Sequence, residues 1–231
     1  MSVVAVVPAR AGSKGIPNKN LTDLGGRPLI HWTIAASLAS GVVDRVIVSS
    51  DDQGILDVAR ESGAEVHLRP AALGEDHVHA VHVVHDLLGE LRRRDEYPDT
   101  VLMLLPTSPF RRPVDIAAAV RLLEAEEPPA VISVTELDKQ LIHLRTIGRD
   151  GSLQPFLDWE HLTSQRQGQP PLYGLNGSVY AARSVQLEQA GTFHVPGARA
   201  LVMDSRASVD INEPADLEWA RFLLSQEVVA P

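Results

Sequence analysis

The sequence predicts an α/β fold: a Rossmann-like, mainly parallel sheet with helices on both faces. Short continuous runs of β-branched residues recur along the chain, as strands buried on both faces require. Stretches of helical length separate them, and this alternation implies crossover connections between parallel strands. The segment Glu136 to Tyr173 breaks the rhythm and reads as a protruding β-hairpin arm inserted into one domain spanning residues 1–231.

The elements follow in order. Val3 to Val7 is the first buried strand and ends at Pro8. Pro28 suits the first turn of a helix that stops near Gly41, because its fixed φ is helical and its missing N–H is not needed there. Arg45 to Ser49 reads as a strand, and Asp51 or Asp52 caps a helix reaching Ser62-Gly63. Val66 to Leu68 is a short strand. Asp76 to about Arg94 reads as a helix, and Val101 to Leu105 as a strand ending in Pro106-Thr107-Ser108-Pro109. Pro113 to Glu126 is helical and Ala130 to Thr135 extended. Within the arm, Arg149-Asp150-Gly151-Ser152 is a hairpin turn. Gly177 to Ala182 and Ala200 to Met203 resume as strands, and Glu213 to about Ser225 closes as a helix with Pro214 in its first turn.

Composition narrows the function classes. The 231 residues carry 21 Lys+Arg against 30 Asp+Glu, a net charge of −9, which argues against wrapping nucleic acid. There are no cysteines, so disulfides, Cys-ligated zinc and thiol nucleophiles are excluded, and a reducing cytoplasm is the expected location. No apolar run approaches the roughly 18–20 residues that span a membrane, and no membrane partner is expected.

The loop after the first strand is the candidate ligand site, since open α/β sheets bind ligands outside the carboxyl ends of their strands. It reads Pro8-Ala9-Arg10-Ala11-Gly12-Ser13-Lys14-Gly15-Ile16-Pro17-Asn18-Lys19-Asn20, with three cations and no acid before Asp23. Glycines admit backbone N–H groups close to phosphate oxygens, and fixed cations offset polyphosphate charge. The spacing is neither that of a Walker P-loop nor that of a dinucleotide fingerprint.

This string resembles the N-terminal signature of the CMP-sugar synthetases, the acylneuraminate (sialic acid) cytidylyltransferases and their relatives. Further motifs extend the resemblance along nearly the whole chain. Gly26-Arg27-Pro28-Leu29-Ile30, Ser49-Ser50-Asp51-Asp52, Leu68-Arg69-Pro70 and Pro106-Thr107-Ser108-Pro109 fall in family order. Ile132 to Glu136, Asn176-Gly177-Ser178-Val179-Tyr180 and Ser208-Val209-Asp210-Ile211-Asn212 complete the series.

The resemblance implies a nucleotidyltransferase fold and Mg²⁺-dependent transfer of CMP from CTP to an anionic acceptor, with pyrophosphate released. It implies nucleotide binding by Ala9, Arg10, Gly12, Ser13, Lys14, Lys19, Asn20 and Arg69, with Arg10, Lys19 and Asp210 catalytic. The family's metal-binding Asp-x-Asp is here Asp210-Ile211-Asn212, so Asp210 and Asn212 are the candidate Mg²⁺ ligands, with one charge fewer. The other reading of Asp210 is a helix cap before Glu213-Pro214.

The acceptor side departs from the family. Leu105 stands where a glutamine commonly touches the sugar, and Glu75-Asp76-His77-Val78-His79 replaces a Thr/Ser-rich helix start. The resemblance assigns His77, His79, Leu105, His143, Arg166, Asn176, Tyr180 and Phe193 to the acceptor pocket. A group recognised by hydrogen bonds is strongly discriminated, so losing several points away from ordinary sialic acid. The acceptor is expected to be a nonulosonic or related keto-acid sugar, or a non-sugar acid such as a phosphonate; Asn212 leaves a catalytically weak CTP- or CMP-binding protein as another reading. His79, His82 and His85 share a helical face at i, i+3 spacing, which is compatible with substrate contact, with metal ligation or with a solvated surface. The arm 136–173 resembles the family's dimerisation arm and implies a homodimer burying Leu141, Ile142, Leu144, Ile147, Leu153 and Phe156.

Overall fold

The computed structural model describes residues 1–13, 15–75, 77–138, 144–156 and 171–226. Lys14, Asp76, Leu141, Ile142, His143 and Arg166 lie outside the described residues.

The chain runs β1 (Val3–Pro8), β2 (Asp23–Leu24), β3 (Arg27–Pro28), α1 (Leu29–Leu38), β4 (Arg45–Ser50), α2 (Gln53–Glu61), β5 (Glu65–Leu68), α3 (Ala80–Arg93), β6 (Thr100–Met103) and α4 (Pro113–Glu126). It continues through β7 (Val131–Glu136), β8 (Arg145–Ile147), β9 (Leu153–Pro155), β10 (Tyr173–Arg183), α5 (Ser184–Ala190), β11 (Arg199–Met203) and α6 (Pro214–Ser225). The main sheet has the order β11-β7-β10-β6-β1-β4-β5. Only β10 runs antiparallel to its neighbours, β6 and β7, while the other pairings are parallel.

Alternation along β1 shows why the sheet is covered twice. Val3, Ala5 and Val7 join Ile30, Ile34, Ile55 and Ile116 from α1, α2 and α4 in one core. Val4 and Val6 face Val84, Leu87, Leu88 and Leu91 of α3 across the other face. Successive side chains of a strand point to opposite faces, so a strand apolar at every position needs a layer on each side. Each such side chain contributes about 1.5–3 kcal/mol when fully buried. A third cluster joins Ile16 of the first loop to Leu24, Phe110, Ile211 and Leu217, and anchors that loop against α6.

Two expectations are corrected. The helix expected from Asp76 begins at Ala80, with Ala71–Gly74 forming a separate 3₁₀ turn; His77 therefore precedes the helix and His79 is its N-cap. Pro28 is the N-cap of α1 and pairs within β3, instead of lying in the first turn. The sheet is mainly parallel as expected; its antiparallel strand β10 is interrupted by a register shift between Leu175 and Tyr180, and α5 follows it where the sequence reading placed no element. At α2 the cap is Asp52, whose carboxylate accepts from the Ile55 N–H at 2.9 Å, which leaves Asp51 available for another partner. In the segment 136–173, β8 and β9 pair antiparallel outside the main sheet, with Gly151 at φ 82° in their turn.

Candidate active site

Three loops leave the carboxyl ends of the strands and meet. The loop after β1 returns through a 3₁₀ turn at Lys19–Leu21, with Asn18 in the left-handed region at φ 51°. The segment after β11 crosses back over the sheet: Ser208 Oγ accepts from the Asn176 amide at 2.9 Å. Farther on, the Ile211 N–H donates to the Thr107 carbonyl of the loop after β6 at 2.8 Å. Lys19 Nζ then donates to the Ile211 carbonyl at 2.8 Å, joining the first loop to the other two. Gly15 makes the closest approach, since a Cβ there would lie 2.2 Å from the Asn212 carbonyl oxygen.

These loops enclose a cleft of about 740 Å³. Arg10, Ser13, Lys19, Asn20, Arg69, His79, Leu105, Asp210 and Asn212 line it, which brings nine of the sequence-derived candidates together. The cleft is also lined by residues that sequence reasoning had not singled out, among them Gly15, Leu73, Glu75, Val78, Val83 and Thr107. The remaining candidates are placed elsewhere. Ala9 is buried and its N–H bonds the Ser49 carbonyl; Gly12 has open space around its α-carbon. His77 is 79% exposed beside Glu75 and does not line the cleft. Asn176 is buried behind the lining, where its carboxamide oxygen accepts from Ser133 Oγ and from the Ser178 N–H. Tyr180 and Phe193 are buried against each other, with ring centroids 5.7 Å apart. His79 and His82 have ring centroids 6.3 Å apart, and no metal-binding cluster of three or more His, Asp or Glu occurs among the described residues.

Electrostatics divide the cleft. Lys19 is half-buried, and desolvation pulls its ammonium below the ordinary lysine pKa of 10.5; Asp210 opposes that shift and Arg10 adds to it. Asn20 closes the loop by donating from Nδ2 to the Arg10 carbonyl at 3.0 Å. On the opposite side Arg69 is buried, and its Nη2 donates to Asp51 Oδ1 at 2.9 Å. Its Nε is buried with no partner among the described residues, a donor poised for an acceptor atom on a ligand. Gly74 packs so tightly over Asp51 that a Cβ would sit 2.7 Å from Oδ2. Asp210 is arranged in a similar way: Oδ2 accepts from Asn212 Nδ2 at 2.7 Å, while Oδ1 is buried with no partner among the described residues. The cleft therefore pairs cations that suit a polyphosphate with one carboxylate oxygen that no described residue satisfies.

A family model described as "Cytidylyltransferase" matches residues 4–168. The chain belongs to the cytidylyltransferase family. It is 38% identical over 225 residues to the CMP-N,N'-diacetyllegionaminic acid synthase of Legionella pneumophila, covering 95% of this chain and 94% of the relative. It is 32% identical to the N-acylneuraminate cytidylyltransferase of Escherichia coli, covering 94% of this chain and 51% of that relative, so it spans about half of that protein's length. Identity to the pseudaminic acid cytidylyltransferase of Campylobacter jejuni is 28%, with 96% of each chain covered. Among solved structures, CMP:2-keto-3-deoxy-manno-octonic acid synthetase complexed with CTP superposes with a TM-score of 0.73 at 18% identity, covering 98% of this chain and all of that one. The 4-diphosphocytidyl-2C-methyl-D-erythritol synthase of Anaerococcus prevotii gives 0.67 at 14%, covering 97% and 98%. These two likenesses bear out the mainly parallel α/β fold.

The Asp51–Arg69 pair of this cytidylyltransferase makes a direct prediction. Asp51→Asn keeps the shape but leaves the buried guanidinium without its counter-charge, at a cost of about 1–3 kcal/mol. In a protein of this size that lowers the melting temperature by roughly 2–4 °C per kcal/mol. Calorimetry with CTP is expected to show affinity at least about tenfold weaker, because 1.4 kcal/mol of lost orientation is a factor of ten.

Proposed function

We propose that the protein transfers CMP from CTP to a nonulosonic acid, releasing pyrophosphate. The observation that carries this reading is the convergence of Arg10, Ser13 and Lys19 with Asp210 on one cleft, in a chain 38% identical along nearly its whole length to a CMP-nonulosonate synthase. The acceptor hydroxyl attacks the α-phosphorus, the bond to the pyrophosphate oxygen breaks, and negative charge grows on the leaving group. Fixed cations placed where that charge develops lower the barrier without reorganisation. Arg10 and Lys19 are those cations, and Arg69 Nε supplies a directed hydrogen bond to the nucleotide.

We assign Mg²⁺ as the cofactor. Asp210 Oδ1, buried and without a partner among the described residues, forms with the adjacent Asn212 carboxamide a hard oxygen donor set suited to that ion. Asp210 and Asn212 would hold it, and when bound it would neutralise phosphate charge.

The hairpin supports a homodimer in the same reading. Ile147, Leu153 and Phe156 are each more than half exposed on β8 and β9 and beside them, and an isolated two-stranded hairpin is marginal without a surface to pack on. We place the reaction in the cytoplasm, where CTP is available; no described helix is long and apolar enough to cross a membrane.

Pyrophosphate release with CTP, Mg²⁺ and a panel of nonulosonic acids, octulosonic acid and small phosphonates tests the proposal. Release with a nonulosonic acid is expected, abolished by a chelator and reduced about 10²-fold or more in Asp210→Ala. Release only with a phosphonate, or none with any acceptor, would overturn the assignment. Light scattering should give twice 25.1 kDa, and a single 25.1 kDa species would remove the dimer.

A further inference from the structure

Arg111 is 3% exposed and lies behind the cleft lining, in the Pro109-Phe110-Arg111-Arg112-Pro113 link between β6 and α4. Its Nε donates to the Ser178 carbonyl at 2.6 Å, Nη1 to Thr33 Oγ1 at 2.9 Å and Nη2 to the Leu105 carbonyl at 2.7 Å. Among the described residues it makes no ion pair, and Asp115 and Asp210 compensate its charge only at longer range. Burying a cation without a contacting carboxylate is expensive, and an apolar side chain of similar volume would fill such a site at lower cost. A planar fork whose three donors meet three fixed acceptors points to geometry as its purpose.

Its acceptors are selective. Leu105 lines the cleft, and Ser178 sits in the irregular stretch of β10 between Asn176 and Tyr180. In the same stretch Gly177, at φ 71°, lies so close that a Cβ would be 3.3 Å from the Leu105 side chain. None of the three bonds reaches Arg10, Ser13, Lys19, Asn20 or Arg69. The fork thus ties together the backbone that carries the acceptor-side candidates and bonds no nucleotide-side residue directly; the turn it braces meets that side one step further on, through the Thr107 carbonyl and the Ile211 N–H.

We propose that Arg111 is a positioning residue for acceptor use, bracing the Leu105–Thr107 turn against β10 and α1; this rests on the cytidylyl-transfer reading above. It acts through Leu105 and Ser178 and contacts no reactant.

The test compares Arg111→Met and Arg111→Lys with the wild-type enzyme, measuring CTP affinity by calorimetry and kcat and KM for the acceptor it uses. Both variants are expected to keep CTP affinity within about threefold while kcat/KM for the acceptor falls about 10²-fold, the usual effect of misplacing a reacting group by roughly 1 Å. Lysine is expected not to rescue, because a point charge cannot reproduce three diverging donors. Acceptor kcat/KM within threefold of wild type, rescue by lysine, or equal losses in CTP affinity and acceptor kinetics would each overturn the proposal. Should Arg111→Met fail to fold, Arg111→Lys and Thr33→Val, which removes one acceptor only, carry the same comparison. Should the wild-type enzyme use no acceptor, the functional reading fails by itself. A crystal structure of Arg111→Lys then decides the brace: a displaced 105–107 turn supports it and an unmoved one ends it.

Discussion

Lys19→Ala is expected to lower kcat about a thousandfold while the protein stays folded, the scale found when one pre-organised group that stabilises transition-state charge is removed. Lys19 Nζ is held by the Ile211 carbonyl at 2.8 Å on the wall of the cleft, so in the proposed transfer its charge would need no rearrangement as pyrophosphate departs. The alanine also leaves that carbonyl unpaired, at about 1–3 kcal/mol. Thermal unfolding should therefore shift by a few degrees, far too little to explain the kinetic loss. Arginine at the same position keeps charge and is expected to retain partial activity. The pH profile supplies an independent sign. Burial lowers the Lys19 pKa below the ordinary 10.5, so kcat/KM falls as pH rises through that lowered value and the ammonium is lost. In the same window the unfolded chain binds more protons than the folded one, so Lys19 makes stability rise with pH while activity declines. The alkaline limb should move upward in Lys19→Arg and in enzyme saturated with CTP, whose phosphates favour the charged amine. A limb at unchanged pH in both would separate it from Lys19.

Gly15→Ala is the second large effect, and it should fall on catalysis more than on folding. Its φ is unexceptional, so the restriction is space: the added methyl would meet the Asn212 carbonyl oxygen at 2.2 Å. That oxygen belongs to backbone already held on both sides. Ile211 donates to Thr107, and the Asn212 and Glu213 N–H groups both donate to Asp216 Oδ2 at 2.8 Å. The loop after β1 must therefore yield, carrying Ser13 and Lys19 away from Asp210. A shift of roughly 1 Å costs about 10² in rate, whereas overpacking at a site open on one side costs about 1–3 kcal/mol. Kinetics and thermal melts on Gly15→Ala, beside Gly89→Ala in the middle of α3, separate the two effects. Gly89→Ala should gain about 0.5–1 kcal/mol from helix propensity and leave kcat unchanged. Normal kcat in Gly15→Ala would show that the first loop does not need its contact with Asn212.

Local chemistry carried much of the reading. The runs Val3–Val7 and Arg45–Ser49 are strands because β-branched side chains without polar alternation suit only a sheet covered on both faces, and both are strands of the central sheet. Pro113 and Pro214 begin α4 and α6 where an N–H is not required. The cation-rich first loop and Asp210 were legible as candidates from composition and family motif, and both line the cleft. The start of α3 was not legible in the same way. Asp76 has the chemistry of a cap, but the 3₁₀ turn at Ala71–Gly74 packs against Asp51 and delays the helix to Ala80. Arg111 is not legible in the sequence, because an arginine in a Pro-rich link reads as solvated until its three acceptors, from residues 33, 105 and 178, come together.

What the sequence by itself determined was the type of most elements, the covered sheet and the family, and it offered candidates for holding phosphate and metal. The elements and the covered sheet depend on the periodicity and chemistry of neighbouring residues, and the family and the candidates on short motifs that resemble those of known enzymes. Only the tertiary structure decided that β10 runs against its neighbours, that Asp51 clamps Arg69, and that Gly15, Lys19, Thr107 and Asp210 meet at one cleft. The physical reason is range: propensity and capping act within a few residues, whereas Lys19 meets its carbonyl partner 192 positions away. Contacts of that separation exist only once both cores of the sheet have closed.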